Sequence, residues 1–463
     1  MDAAPRTFPL GPLQQPMWRF WSAHRESSAY VMPEAYFFGG DLDLEAATYA
    51  LDETVRRHES LRTTFRDLQR EVVQVVSPVP SSSPIEVLDL RDVPAAELAD
   101  QLEVVLDAVA NTGFDLTAGP VIRLTALRLP EHRTALVMAV HQIVCDGASI
   151  AIVLDEFGSL YRSVRQRTSP GLTPAPPGYG AFVAEQLADL ADAGFGEDLA
   201  YWAERLAGAS GSVLPGDGGE EPAAATSLDT YAEFTTLELG LSDRTWSFAR
   251  QAGSTPFSVL FTTMLVMVVA AADRTTGDVC IGTTTSSRTP RFGGTVGMLS
   301  NVVVPRSLID LSTSFAEALG EVSLQLLDAI DFQHVPFGHV VDAVTSDAAE
   351  LAPELVRTMF SAGAVGALTL GESDLSERLI RTSQGPFDTT VVCEITPSGI
   401  ALDWQFALRA YSRELAHGYC AAYPDLLAAL LANPDTAMDS LDLTDILPRT
   451  TGRGARPHEE VSH

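Results

Sequence analysis

The sequence predicts a mixed α/β (α+β) protein built in two halves. Segments with helical spacing of apolar residues alternate with short Val-, Ile- and Leu-rich segments along the whole chain. One proline-rich stretch, Thr173-Pro174-Ala175-Pro176-Pro177-Gly178, breaks that alternation. The length of 463 residues exceeds what one core usually organises, so two or three compact units are expected. A hydrophobic fraction of 46% and a charged fraction of 20% are those of a folded globular chain.

Leu44, Ala47, Leu51 and Val55 recur at helical spacing behind Asp43, an N-cap residue, and predict a helix over residues 43–59. Residues 72–76 and 121–129 read as strands, and 134–141 as a central strand rich in Ala, Leu and Val. From Ala148 a helix is predicted, with Ile150, Val153, Leu154, Phe157 and Tyr161 on one face. Between these two elements His141-Gln142-Ile143-Val144-Cys145-Asp146-Gly147 forms a strand-to-helix loop, where side chains and amides can face a cleft. Residues 179–206 read as helical and 209–227 as a loop. A second α/β half follows, with strands near 279–284, 302–305, 389–395 and 400–406, and a frayed tail from Gly452. The expected partition is 1–175, 176–230, 231–448 and 449–463.

The net charge of −31 opposes binding to phosphate backbones or to an anionic membrane surface, so neither nucleic acid nor membrane is an expected partner. All 30 basic residues are arginine, which excludes Schiff-base chemistry on a lysine and, with the high alanine content, points to a GC-rich, actinobacterium-like source. Cys145, Cys280, Cys393 and Cys420 form no CxxC pair, against a zinc ribbon or a dithiol motif, and a reduced cytoplasmic compartment is expected. Met1-Asp2-Ala3-Ala4-Pro5 lacks the regions of a signal peptide. The apolar run 259–272 falls short of the roughly 20 residues of a membrane span and reads as a buried helix. The nine histidines form no HExxH, and neither a Walker A motif nor a dinucleotide fingerprint is present, so no metal and no bound cofactor are expected.

The loop His141 to Gly147 resembles the HHxxxDG signature of nonribosomal-peptide condensation domains and related acyltransferases, with Gln142 in place of the second histidine. An ordered series of further segments resembles the same family. Leu13-Gln14-Gln15-Pro16-Met17-Trp18 is similar to its opening motif, with Gln15 and Trp18 close to register. Arg57-His58-Glu59-Ser60-Leu61-Arg62-Thr63-Thr64-Phe65 matches RHExLRTxF throughout. Tyr179 and Phe182 keep the aromatic spacing of YxDFAxWQ, while Ala181 and Glu185 depart from it. Val296-Gly297-Met298-Leu299-Ser300-Asn301 with Arg306 follows (I/V)GxFVNTxxxR. Gln333, Val335, Pro336, Phe337 and Val341 sit as in HQDxPFExLV, which Phe332, His334 and Gly338 do not fit, and Phe387-Asp388-Thr389-Thr390 resembles FDLT. The RDxSRNPL motif has no convincing counterpart. The resemblance implies two chloramphenicol-acetyltransferase-like lobes in a V-shaped pseudo-dimer, with the motif loop midway along a central tunnel.

It also implies roles. His141 would be the structural first histidine. Asp146 would pair with Arg62 to fix the loop, the alternative being Arg62 on a solvated helix end. The Gly147 amide would face a developing oxyanion, and Ser149 would cap the next helix or touch a pantetheine or substrate. Arg288, Ser300 and Asn301, with Cys145 and Ser149, are candidate tunnel residues; for the Ser286-Ser287-Arg288 loop a solvated position is the alternative. Gln142 hydrogen-bonds both ways but takes no proton near neutral pH. Cys145 as a nucleophile, or His334 as a compensating base, compete with structural roles. The implied function is a free-standing condensation-like acyl or aminoacyl transferase. It would use an acyl or peptidyl carrier protein in trans, whose phosphopantetheine holds the thioester, and a small-molecule amine or aminoacyl acceptor, as a monomer. Amide formation fits the missing base better than ester formation, since a hydroxyl must lose its proton as the bond forms. Alternatives are a degenerate domain that recruits a tailoring enzyme or carrier protein, and cyclisation or dehydration in the same tunnel, with epimerisation the least favoured.

Overall fold

The structure, a computed structural model, describes residues 4–68, 71–80, 82–191, 195–219, 228–344, 355–363, 368–371, 376–378 and 380–449. The predicted tail, and residues 220–227 of the predicted loop, lie outside them. The chain forms two compact units. The first comprises residues 1–197, 286–301 and 364–384, and the second the remainder. The division therefore does not follow the expected linear partition at 175 and 230. Two later segments return to the first unit through a strand pairing and a buried carboxylate, contacts of long sequence separation that local composition does not register.

The first unit contains β1 (Arg6–Pro9), α1 (Gln15–Ala23), β2 (Val31–Gly39), α2 (Leu44–Arg57), β3 (Thr63–Leu68) and β4 (Glu71–Val76). After these come β5 (Ile85–Asp89), α3 (Leu98–Asn111), β6 (Ile122–Leu129), β7 (Arg133–His141), α4 (Gly147–Gln166) and α5 (Tyr179–Ala191). Its main sheet has the order Ser376–Arg378, β2, β7, β6, β5. β7 is central, antiparallel to both neighbours, and buried from Thr134 to His141. Cover on both faces is why it reads as a continuous apolar run with no alternation. In register, Val31 of β2 lies opposite His141, so the motif begins where the central strand leaves the sheet. β1, β4 and β3 form a small second sheet.

α2 starts as predicted on Asp43, whose Oδ1 accepts the Ala46 amide at 3.1 Å, and it packs on α4. Arg57 and His58, at the end of α2, bind Glu156 of α4. Arg57 Nε lies 2.7 Å and His58 Nε2 3.0 Å from Glu156 Oε2. Burial pulls the Glu156 carboxyl up, but the bonds from His58 and Arg57 outweigh it and hold it at about 2. This part of the RHExLRTxF segment thus orients the helix that follows the motif loop.

The second unit has a four-stranded sheet in the order Thr358–Ala362, Thr389–Thr396, Gly399–Ala407, Thr230–Thr236. The first pair is parallel and the others antiparallel. The apolar run at 259–272 falls in the helix Pro256–Ala271, capped by Thr255 and buried on every side from Ser258 to Ala270. Among the described residues no single helix is long and apolar enough to cross a membrane. The strand predicted at 279–284 is two strands, Thr276–Cys280 and Thr283–Ser286. The helical stretch 179–206 holds two helices, α5 and Phe195–Arg205.

Candidate active site

The loop after β7 makes one 3-10 turn, Gln142–Val144, and α4 begins at Gly147 with Asp146 as its N-cap. His141 is almost fully buried, and its Nδ1 accepts the Ile143 amide at 3.1 Å. A neutral ring that accepts at Nδ1 carries its proton on Nε2. Burial lowers the imidazole to about 3, so His141 stays neutral through the physiological range. Its ring lies between Tyr30 and Phe114, with centroids 6.3 and 6.2 Å away.

Asp146 is fully buried and saturated with donors. Oδ1 accepts the Ser149 amide at 2.9 Å and Arg288 Nη2 at 2.6 Å. Oδ2 accepts Arg288 Nη1 at 2.7 Å, the Leu299 amide at 3.0 Å and Ser300 Oγ at 3.1 Å. The partner of Asp146 is therefore Arg288, and the expected pair with Arg62 is corrected. Arg62 donates from Nη1 to the Ser77 carbonyl at 2.6 Å, and its buried Nε meets no partner among the described residues. Burial, not an ion pair, dominates the Arg62 environment and lowers its pKa. The bidentate fork of Arg288 matches the carboxylate as a point charge would not.

Two candidate tunnel residues are thus used by the loop itself: Arg288 neutralises Asp146, and Ser300 donates to it. Ser149 is a third. It does not cap α4; Asp146 does, and receives the Ser149 amide. The Ser149 hydroxyl donates to the Gly297 carbonyl at 2.9 Å and accepts the Gly297 amide at 3.0 Å and Arg288 Nη2 at 2.7 Å. A hydroxyl with one donation and two acceptances filled has nothing left for a substrate. Asn301 is buried beside this network in the strand Ser300–Val303. The Tyr179 hydroxyl donates to the Met298 carbonyl at 2.9 Å, which ties α5 to the same segment.

Gln14, which the sequence does not single out, also holds the loop: its Nε2 donates to the Ile143 carbonyl at 2.9 Å and to Gln74 Oε1 at 3.2 Å. The available signal is a glutamine within the opening motif, where register points to its neighbour Gln15. Cys145 is fully buried, and burial, then Asp146, pushes its thiol well above the ordinary value, so no thiolate is available at the loop. His334 is exposed and belongs to the second unit.

Gln142 and Gly147 each keep a group with no partner among the described residues. Gln142 is half-buried; its amide N–H donates to the Tyr30 carbonyl at 2.9 Å, and its side chain meets no hydrogen-bond partner among the described residues. Gly147, at the first position of α4, has a backbone N–H in the same condition. The first amides of a helix have no intrahelical acceptor and sit at the positive end of its dipole, so this one can receive a partial negative charge. Among the described residues no group of three His, Cys, Asp or Glu side chains could hold a metal ion.

Comparison with known proteins bears on the family and the fold. The condensation domain family model matches residues 5–447. The chain is 32% identical over 347 residues to chondramide synthase cmdD of Chondromyces crocatus, covering 75% of this chain and 9% of that protein. It is 28% identical over 447 residues to phosphinothricin tripeptide synthetase PhsB of Streptomyces viridochromogenes, covering 94% of this chain and 36% of that one. The chain thus spans a small part of the relatives it matches. Among solved structures, the first condensation domain of the calcium-dependent antibiotic synthetase superposes with a TM-score of 0.80 at 19% identity, over 96% of this chain and 100% of that one. The X-domain from teicoplanin biosynthesis gives 0.79 at 19% identity, over 96% and 99%. Identities this low show the fold alone. The family match spans nearly the whole chain, and the protein belongs to the condensation-domain family found in nonribosomal peptide synthetases.

Proposed function

We propose that this condensation domain transfers an acyl or aminoacyl group from a carrier-protein phosphopantetheine thioester to an amine, forming an amide. The observation that carries the reading is the completeness of the Asp146 network, which five hydrogen bonds hold around a single changed position. In the proposed reaction the amine nitrogen attacks the thioester carbonyl, and the carbonyl oxygen gains charge against the Gly147 amide. The C–S bond then breaks, the pantetheine sulfur leaves as thiolate, and the amine proton passes to solvent or to that sulfur. Gln142 hydrogen-bonds the reactants and exchanges no proton. A neutral amine tolerates this, because general-base help is worth about 10²–10⁴ in rate and positioning survives its loss.

The test is intact-mass detection of product from a loaded carrier protein with candidate amines. Gln142→Ala and Gly147→Pro are the informative variants. Proline is tolerated at the first helical position and Asp146 before it is extended, so the substitution removes the N–H while adding a ring, and Gly147→Ala, which keeps the N–H, is its control for bulk. The reading expects both to lose turnover. Undiminished turnover in both removes this loop from the mechanism.

A second reading, a non-catalytic module that binds a tailoring enzyme or carrier protein, is favoured by one observation. No group of the loop accepts a proton near neutrality: Gln142 is an amide, His141 is held at about 3, and the Cys145 thiol is pushed up. It expects stable copurification with a partner and no product from any loaded carrier.

A further inference from the structure

Tyr30 ends the turn that leads into β2, where the Val31 amide bonds back to the Ser28 carbonyl at 2.9 Å. Its own carbonyl accepts the Gln142 N–H at 2.9 Å, which carries the β2–β7 register one step beyond Val31 and His141. Tyr30 therefore stands opposite Gln142, the altered motif position. Opposed residues of an antiparallel pair send their side chains to the same face, with Cβ atoms roughly 4.5–5.5 Å apart. Two aromatic contacts hold the Tyr30 ring beside the loop. Its centroid is 5.1 Å from that of Phe20, edge to face, and 6.3 Å from that of His141.

The fold uses the ring of Tyr30 and its carbonyl, and leaves the phenol unused. The side chain is half-buried, and its hydroxyl meets no hydrogen-bond partner among the described residues. Burial alone pushes that hydroxyl up to about 12, so it keeps its proton and is a donor through the physiological range. A tyrosine hydroxyl withdrawn from water ordinarily finds an acceptor, because an unmet donor is costly. His141 offers none: its Nδ1 is taken by the Ile143 amide, and its Nε2 carries the proton. The Gln142 side chain is likewise unbonded, and the two do not bond to each other. Two hydrogen-bonding groups thus stand side by side where the motif departs from its pattern. In the transfer proposed above, the oxygens that could accept from a phenol are carbonyls: that of the thioester, and that next to the amine in an aminoacyl acceptor.

We propose that the Tyr30 hydroxyl donates a hydrogen bond to a substrate carbonyl oxygen beside Gln142 and so positions one of the two reactants. The inference rests on the loop being where thioester and amine meet, and its test reads binding as well as turnover. S-acetylpantetheine supplies the acyl-side carbonyl and L-alaninamide the amine-side one. Isopropylamine, with a methyl group in place of the alaninamide carboxamide, has neither. Calorimetric titration of wild type and Y30F with each probe is the measurement. Expected is saturable binding of a carbonyl probe, weakened about tenfold in Y30F, the worth of one hydrogen bond. The probe that responds names the side. Isopropylamine should not distinguish the two proteins, and the melting temperature of Y30F should not fall. In turnover the same loss should enter through KM, as for an interaction made equally in ground and transition states. Four results overturn the proposal: no binding of either carbonyl probe, equal affinity in Y30F, an equal loss for isopropylamine, or a lowered melting temperature in Y30F. The last would make the phenol a structural group, bridged to the fold by water. Equal product from Y30F and wild type removes Tyr30 and keeps the transfer. Probe binding that depends on Tyr30, with no product from any loaded carrier, removes the transfer and keeps the site.

Discussion

Arg288 grips Asp146 with both terminal nitrogens, at 2.7 and 2.6 Å, across 142 positions of sequence. The carboxylate is fully buried and the guanidinium nearly so, which makes this pair the electrostatic centre of the motif loop. Removing one partner strands a buried charge. Arg288→Ala is expected to cost about 3–5 kcal/mol in denaturant unfolding. Arg62→Ala, which breaks one charge-assisted bond to a carbonyl, is expected to cost no more than about 2 kcal/mol. The reverse ranking would return the structural role to Arg62.

Ser149→Ala removes the hydroxyl that serves Gly297 and Arg288 together. Since the freed groups are buried, a loss of about 1–3 kcal/mol is expected. Ser149→Cys keeps the size but supplies only a weak donor and acceptor, and it should not restore stability. Urea midpoints of the two variants check this.

Gln142→Ala should leave stability within about 0.5 kcal/mol, because the side chain makes no hydrogen bond among the described residues. A drop in turnover without a drop in melting temperature would place its role in the chemistry. Gln142→His is the complementary variant, expected to raise turnover towards neutral pH if a base is what the loop lacks.

His141 gives the fold a pH dependence whose sign is fixed. In the unfolded chain an imidazole takes a proton below about 6.5, while in the fold it stays neutral until about pH 3. The unfolded state therefore binds more protons between these values, and stability falls as pH falls, by about 1.4 kcal/mol per unit for one such group. Glu156, held at about 2, acts in the same direction only below its unfolded value of 4.5. Between pH 6.5 and 4.5 the slope should consequently shrink in His141→Gln. Unfolding titrations across that window provide the measurement, and an unchanged slope would contradict a buried neutral ring.

The frame of the fold is legible in sequence where one local pattern decides. β7 shows as an apolar run because it is covered on both faces, and α2 because Asp43 caps an apolar stripe. The loop's position follows from its flanking elements. Its wiring does not. Arg288 lies in a short polar stretch with no periodicity, and nothing near it in sequence says that its charge points at Asp146. Arg62 stands in a well-matched motif, and that attracts the pairing. Ser149 reads as a cap because serine often is one; the aspartate three residues earlier holds that position. Gln14 carries no local mark because its value lies in reaching a backbone carbonyl 129 residues away.

The first unit is assembled from three stretches of chain, and this has a consequence for its birth on the ribosome. Residues 1–197 emerge with β7, the motif and α4 already synthesised, yet the groups that satisfy Asp146 from outside α4 arrive only with residues 288–300. Until roughly a hundred further residues have been made, the nascent unit carries a buried acid without its cation. Vectorial folding, which usually favours completing N-terminal units first, must here wait for distal sequence. Fragments ending near residue 197 are expected to remain protease-sensitive, and those extending past residue 301 to gain protection around the loop.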